Sequence, residues 1–469
     1  MTRHASRLIG FTTLFLALMA SLAWTEAHGF VSSDVITLWA KAIMVVDGPE
    51  HFKATDAFFP PVPFVLSIVL QWVLNGTLVP VPFILSALLG AIMLMLWFVN
   101  MRDSGGYSSL TSMAVVALLG LNPFFLRALA DGPQTVLTIL GTWVFTRGVV
   151  SLRLTGNAPD MMKVAVGLLT VALSDSFGLM ICLGALPFMI VAARPSMVTA
   201  SSTGYLVAMF YPAVAGVASV VFLSAIFDST LVPLLIETPH AVTWETHALI
   251  MFGTLPVALT AVLRNVLLPR LFMPLIAAMA AVCGAYGLNA FFHLEGDQTM
   301  AFAPMLGVVA VAIRYWPPLP LREPIAIALL ALGVLLSTIA FRTIPLNETR
   351  AWVTAFRGET IGSPNLAQDV AMFLRSKSEI MVDAEHNPEI VTALGGAEKL
   401  IVAGEPIYDW AMEGGLPQAR YILVPAGENP MAAGDMILRR FPALYDNQAA
   451  GYRVVFSNAQ WRVFERTRS

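Results

Sequence analysis

The sequence predicts a polytopic α-helical membrane protein, with about 11 transmembrane helices, extra juxtamembrane helices and a small C-terminal α/β domain. Three observations predict it. Of the 469 residues, 57% are hydrophobic and 12% charged, at a mean hydropathy of +0.74; soluble domains carry about 25% charged residues. The apolar residues before 343 lie in blocks of helical length. The residues after 343 change to a charged, short-period pattern.

A span needs roughly 20 mostly apolar residues, and shorter ones are tolerated. Eleven blocks qualify as candidates, near 8–25, 80–100, 108–123, 133–150, 162–174, 178–193, 204–227, 247–263, 271–289, 299–316 and 325–342. The first, preceded by Arg3 and Arg7, reads as a retained helix because many spans follow it. The apolar stretch 61–74 opens with prolines and ends at Asn75-Gly76, and its length suits an interfacial helix better than a span. Cys182 and Cys283 fall inside apolar blocks and read as small core residues.

Orientation follows from Lys and Arg. With a cytoplasmic N-terminus, Arg3, Arg7, Arg102, Arg147, Arg153, Lys163, Arg194, Arg264, Arg270, Arg314 and Arg322 fall on the inner side. The outer side holds Lys41, Lys53 and Arg127, with Arg342 at the exit of the last helix, and it gathers the acids Glu26, Asp34, Asp47, Glu50, Asp56, Asp131, Asp175, Asp228, Glu237, Glu245, Glu295 and Asp297, while Asp103, Asp160 and Glu323 stay inside. Counting 61–74 as a span would invert every later loop and destroy this order. The charge order therefore predicts a transmembrane unit at 1–342 with a cytoplasmic N-terminus and an extracytoplasmic domain at 343–469. In that tail, the strand-like runs 380–383, 399–402, 421–424, 452–456 and 461–464 alternate with helical candidates near 364–376, 388–395, 407–413 and 434–440. This pattern predicts a partly parallel sheet whose last two strands form a hairpin. The tail shows no P-loop, dinucleotide fingerprint or metal-spaced Cys/His cluster.

Each outer acid has a capping reading. Ser32-Ser33-Asp34 suits the start of a short helix, and Asp131-Gly132-Pro133 the start of the helix at 133–150. Asp175, in Ser174-Asp175-Ser176, either caps the next helix or faces a polar cavity. Sidedness adds a functional reading, in which Asp34 and Asp131 converge on one cavity at the membrane boundary. There one carboxylate would act as general base on an acceptor hydroxyl, with Arg127 offsetting a phosphate charge. Lys53, Asp56, Asp175 and His293 share that face and are further substrate-binding candidates.

The order of these elements resembles the GT-C superfamily of membrane glycosyltransferases, which includes protein O-mannosyltransferases, lipid A aminoarabinose transferases, oligosaccharyltransferase catalytic subunits and bacterial family-39-like enzymes. Asp34 with Trp39, Ala40, Ile43 and Gly48 is similar to the first-loop acidic motif and the helix after it. Phe59-Pro60-Pro61-Val62-Pro63 is similar to the entry of the second surface helix. Asn75-Gly76 followed by Phe83, Ser86, Ala87 and Gly90 is similar to the next turn and helix. Asn122-Pro123 with Arg127 and Asp131 is similar to the second acidic motif. The resemblance implies that Asp34 is the catalytic base and that Asp131 shapes the site, the two ligating a cation in metal-using members. It also implies a polyprenyl-phosphate-linked sugar donor, a lipid, glycan or protein acceptor, and inversion at the anomeric carbon. The chain departs from the pattern twice. Val35 follows Asp34 where many members have a second acid, and Asp175 stands where many have lysine. Two other readings remain open at this level: a non-catalytic relative, and a transporter or flippase for a lipid-linked sugar. The second is disfavoured by the lack of an internal repeat and by acids gathered at one face.

Overall fold

The computed structural model describes residues 3–47, 60–74, 79–192, 194–227, 244–267, 271–292, 298–316, 318, 320–345, 347–361, 366–415, 417–427, 429–444 and 451–467. All eleven apolar blocks are helical. They form α1 (Arg3–Ala27), α4 (Val81–Gly105), α5 (Ser109–Gly120), α7 (Pro133–Thr155), α8 (Ala158–Ala172), α9 (Ser176–Ala192), α10 (Pro195–Phe227), α11 (Trp244–Leu267), α12 (Phe272–Phe292), α13 (Met305–Arg314) and α14 (Arg322–Thr343). Among the described residues, six helices are long and apolar enough to cross a membrane. A seventh span results if α5 and α6 (Pro123–Asp131), bent by 58°, are counted together. The expected count of eleven is thus not reached by length: α9, α11 and the segment around α13 offer only shorter apolar stretches.

The bend between α5 and α6 has a local cause. Asn122 caps α6 by accepting the Phe124 N–H at 3.0 Å, and Pro123 occupies the first turn. Gly132 then separates α6 from α7 at φ +128°, a backbone conformation that only glycine takes without strain. Apolar side chains from α1, α4, α6, α7, α9, α12 and α13 form one continuous core, which includes Trp97, Phe124, Phe125 and Phe145.

Two short helices sit beside the bundle, α2 (Ser33–Asp47) and α3 (Pro61–Val73). Trp39 of α2 donates to Gln71 of α3 at 3.1 Å. The α3 face opposite Phe64, Ser67 and Gln71 leaves Val65, Val69 and Trp72 exposed, as expected of an interfacial helix. Its Val62 N–H donates to the Leu173 carbonyl in the turn after α8, at 3.1 Å. At the opposite end of the bundle, Arg7 pairs with Asp103 at 3.0 Å and Lys163 with Asp160 at 2.7 Å. Cys182 is buried and Cys283 exposed, both as free thiols.

After α14, helix α15 (Asn347–Phe356) returns along the end of α1, where Trp24 donates to the Phe356 carbonyl at 3.2 Å. All five strand-like runs form strands: β1 (Ile380–Met381), β2 (Leu400–Ile401), β3 (Tyr421–Pro425), β4 (Tyr452–Ser457) and β5 (Trp461–Arg466). The sheet order is β2-β1-β3-β5-β4. β1 runs parallel to β2 and β3, while β5 pairs antiparallel with β3 and with β4. Helices α16 (Leu366–Leu374), α17 (Pro388–Leu394), α18 (Pro406–Glu413) and α19 (Met436–Arg440) lie where the pattern places them. Ala40, Ile43 and Met44 of α2 join the core on one side of this sheet.

Candidate functional site

Asp34, Asp131 and Asp175 line one cavity at the end of the bundle that faces the sheet domain. Its walls also include Thr135 and Thr138 of α7, Phe177 of α9, Asn289 of α12, and Met300, Ala301 and Pro304 before α13. The cavity volume is about 30 Å³, enough to hold a couple of water molecules.

The capping roles available to Asp34 and Asp131 are filled by other groups. At the start of α2, the Ser33 N–H donates to Glu348 at 3.2 Å and the Ser33 hydroxyl reaches the same oxygen at 3.4 Å. Asp34 is left to face the cavity, where Gln134 Nε2 donates to it at 3.2 Å. Asp34 is solvent-accessible as a residue, and its carboxyl opens into the cavity with protein packed around it. That desolvation, joined by the charges of Asp131, Glu348 and Asp175, pushes it well above the ordinary carboxylate range.

Asp131 is the last residue of α6, and Gly132 takes the capping position of α7. Arg127 Nη1 donates to Asp131 at 2.9 Å, the Thr135 hydroxyl at 2.7 Å, and the Ser32 hydroxyl at 3.4 Å. Among the described residues, these donors fix the Asp131 carboxylate, whereas the Gln134 amide donates to Asp34.

Arg127 is wholly buried and is not part of the cavity wall. Its guanidinium serves Asp131, lies 3.6 Å from Glu348, and stacks over Phe30 at 5.3 Å. This placement differs from the one expected for a phosphate contact, because the bundle core encloses the side chain. Asp175 combines both readings offered for it. It accepts the backbone N–H groups of Ser176 and Phe177 at the start of α9, and it lines the cavity; burial raises its carboxyl. Lys53, Asp56 and His293 lie outside the described residues.

Glu348, Gln134 and Asn289 are the residues that sequence reasoning missed. Glu348 sits just past the last span, where a charge census confined to loops between spans omits it. Gln134, Thr135 and Thr138 form a polar stripe at i, i+1 and i+4 on an otherwise apolar helix, a signal that was readable. Asn289, near the end of a span, gave no pattern of its own.

Among the described residues, the only trio of His, Asp and Glu whose ligand atoms lie within 4.8 Å of one another is Asp383, Glu385 and His386, in the sheet domain. Asp383 there accepts His386 Nδ1 at 2.9 Å and the Met436 N–H at 2.8 Å, which ties α19 to the end of β1. The three cavity carboxylates are spaced too widely to form such a trio, so they do not fit a compact metal centre of three carboxylates.

Compared with solved structures, the chain matches ArnT from Cupriavidus metallidurans in its apo state over 97% of this chain and 98% of that one, at 14% identity and a TM-score of 0.53. The fold is of the GT-C type. Alignments also run to the arabinofuranosyltransferase AftD from Mycobacteria (TM-score 0.49, 14% identity, 98% of this chain and 40% of that chain). A further one runs to the oligosaccharyltransferase of Archaeoglobus fulgidus in the apo form (TM-score 0.48, 11% identity, 98% and 74%). No protein-family model and no curated protein matches the sequence. The likeness is one of fold, and the chain is accordingly read as a multi-pass membrane protein.

Proposed function

We propose that this chain is a membrane glycosyltransferase that moves a sugar from a polyprenyl-phosphate donor to a lipid, glycan or protein acceptor. The reaction takes place on the outer face of a bacterial inner membrane, with the N-terminus cytoplasmic and the sheet domain outside. The observation that carries the reading is the convergence of Asp34 and Asp131, from α2 and α6, on one cavity at the domain boundary. The GT-C-type fold supports the class of reaction by analogy.

Asp34 accepts the proton of the acceptor hydroxyl as its oxygen attacks the anomeric carbon. The bond from that carbon to the phosphate oxygen breaks, and the polyprenyl phosphate leaves with the electron pair. Attack from the face opposite the leaving group inverts configuration. Burial suits Asp34 to this task, because a carboxylate with a raised pKa is a better base nearer neutral pH. Asp131, clamped by Arg127 and Thr135, holds the wall against which the substrates align. No step is routed through a metal, since the cavity acids do not fit a compact centre.

Asp34→Asn tests this in proteoliposomes supplied with lipid extract and a radiolabelled polyprenyl-phosphate sugar. Loss of a general base lowers transfer by about 100-fold or more, with insertion and folding retained because Asn fits the same space. Transfer at the wild-type rate would remove Asp34 from the mechanism.

A further inference from the structure

Two arginines meet at the end of the bundle opposite the cavity. Both α7 and α13 run away from the cavity, α7 from Thr135 and Thr138 and α13 from Pro304. The two helices touch at Gly307, where a Cβ would lie 2.9 Å from the Trp143 backbone nitrogen. Arg147 stands one turn beyond Trp143 on α7, and Arg314 two turns beyond Gly307 on α13, so both arginines fall on the facing sides of the pair. The charge of Arg147 acts on Arg314, and both side chains are half-buried, where like charges repel more strongly than in water.

This pair has no counter-ion. Among the described residues, neither guanidinium makes an ion pair or a hydrogen bond. Their contacts are to aromatic faces, Arg147 over Trp143 at 5.5 Å and Arg314 over Tyr315 at 4.9 Å. Asp160 feels the charge of Arg147, but its two carboxylate oxygens are taken by Lys163 and by the Thr155 hydroxyl. A surplus of basic residues in the loops follows from membrane orientation. Two guanidiniums side by side between packed helices do not, because charges inside a bundle normally pair or serve a function.

Two orphaned donors stand at the same place. The Nε of Arg314 and the Nε1 of Trp143 are buried without an acceptor, and the Trp143 side chain is only 4% exposed. A buried donor without an acceptor is costly and marks a place where an acceptor belongs. The groups on offer are thus N–H donors with two positive charges, and an anion with several oxygens complements them. A guanidinium binds phosphate with two parallel hydrogen bonds.

We infer that Arg147 and Arg314 form a binding site for the phosphate of an anionic phospholipid, in the leaflet away from the sheet domain. Depth favours a lipid over a free anion. Arg147 is eight residues before the end of α7, or about 12 Å inside it at 1.5 Å per residue. A phosphate held there sits at the membrane boundary, where basic pockets between helices take anionic headgroups. This site lies at the other end of the bundle from the proposed reaction and does not depend on it.

The test is native mass spectrometry of the full-length protein in detergent, titrated with dioleoyl-phosphatidylglycerol, dioleoyl-phosphatidylcholine and inorganic phosphate. Phosphatidylglycerol binds roughly tenfold or more tightly than phosphatidylcholine. Arg147→Gln and Arg314→Gln each weaken its binding about tenfold. Arg314→Lys keeps the charge but loses the fork, and retains part of the affinity. Neither Gln variant loses an ion pair, so the unliganded protein keeps its fold, which its unfolding midpoint checks. Arg102→Gln, at an exposed cation of the same end, leaves binding unchanged. Phosphatidylglycerol binding that survives both Gln substitutions, or that falls equally with Arg102→Gln, overturns the site. Inorganic phosphate that binds as tightly as the lipid overturns the lipid assignment in favour of a soluble anion. Failure of all three to bind overturns the site altogether.

Discussion

At the residue scale, identical side chains take different roles because their surroundings differ. Among the described residues, Asp131 accepts from the buried Arg127 guanidinium and the Thr135 and Ser32 hydroxyls, whereas Asp34 accepts from the Gln134 amide and faces three like charges. Asp34 therefore keeps its proton to a higher pH than an ordinary carboxyl does. Proposed transfer rises with pH through a midpoint above the ordinary carboxylate range of about 4, and a pH–rate profile of the wild type measures it. The sheet domain gives a second pH effect with a definite sign. Burial lifts Asp435 from 3.8 to about 6, so its contribution to stability is complete below 3.8 and is lost as pH rises through about 6. The hydrogen bond to Asp383 raises His386 above 6.5, so that contribution is present below 6.5 and is lost as pH rises through the raised value. Burial acts upward on Asp383, but the His386 and Met436 bonds hold it low, so its contribution is lost only at the acid end. Between pH 5 and pH 8 both changing terms act together. The domain is more stable at pH 5, by about 1 kcal/mol from Asp435 alone, with His386 acting in the same direction. Hydrogen exchange of peptides covering 380–382, 421–425 and 461–466, corrected for intrinsic rates, measures this. Slower exchange at pH 8 would contradict it.

At the element scale, close approach decides where Asp175 stands. A Cβ on Gly178 would lie 1.9 Å from the Val171 carbonyl oxygen, so α9 can fold back on α8 at this turn only with glycine there. Gly178→Ala overpacks the turn and destabilises the bundle by about 1–3 kcal/mol or more. Gly287→Ala on α12, where nothing lies within 4 Å, is the matched control and is neutral or mildly stabilising. Thermal unfolding of the two purified variants separates these outcomes, and equal midpoints would sink the packing argument. Elements of this kind were legible in the sequence to different depths. Every apolar block and every strand-like run became an element, because hydrophobic length and period are local signals. Asp34, Asp131 and Asp175 line one cavity, and the charge order had put these three on a common face. The partners that decide their chemistry were not readable. Glu348 reaches Ser33 across 315 residues, Gln134 reaches Asp34 across 100, and neither pairing leaves a local pattern. The burial of Arg127 was unreadable for the same reason: an arginine next to an acid on a short helix gives the same letters whether it faces core or cavity.

At the scale of the whole molecule, α2 belongs to both halves. Its first turn carries Asp34 into the cavity, while Ala40, Ile43 and Met44 lie in the sheet-domain core beside Val370, Ile390 and Val391. At its far end, the Asp47 carboxylate accepts the Ala397 N–H. Loosening the sheet domain therefore loosens the helix that positions the proposed base, although among the described residues none of the sheet domain lines the cavity. Ile43→Ala probes this coupling, since Ile43 is 2% exposed and is absent from the cavity wall. Removing its side chain costs about 2–5 kcal/mol of packing. Hydrogen exchange should quicken in α2 and α17 together, and donor-dependent transfer should fall because the base is less firmly held. The same truncation at Ala-sized cost on the far side of the sheet, Ile437→Ala, disturbs the other sheet core and leaves α2 protected. If Ile43→Ala loosens α17 but leaves α2 and transfer as they were, the helix is anchored by the bundle alone, through contacts such as Trp39 with Gln71. The sheet domain would then be a separate unit resting on the bundle, not a support for the base.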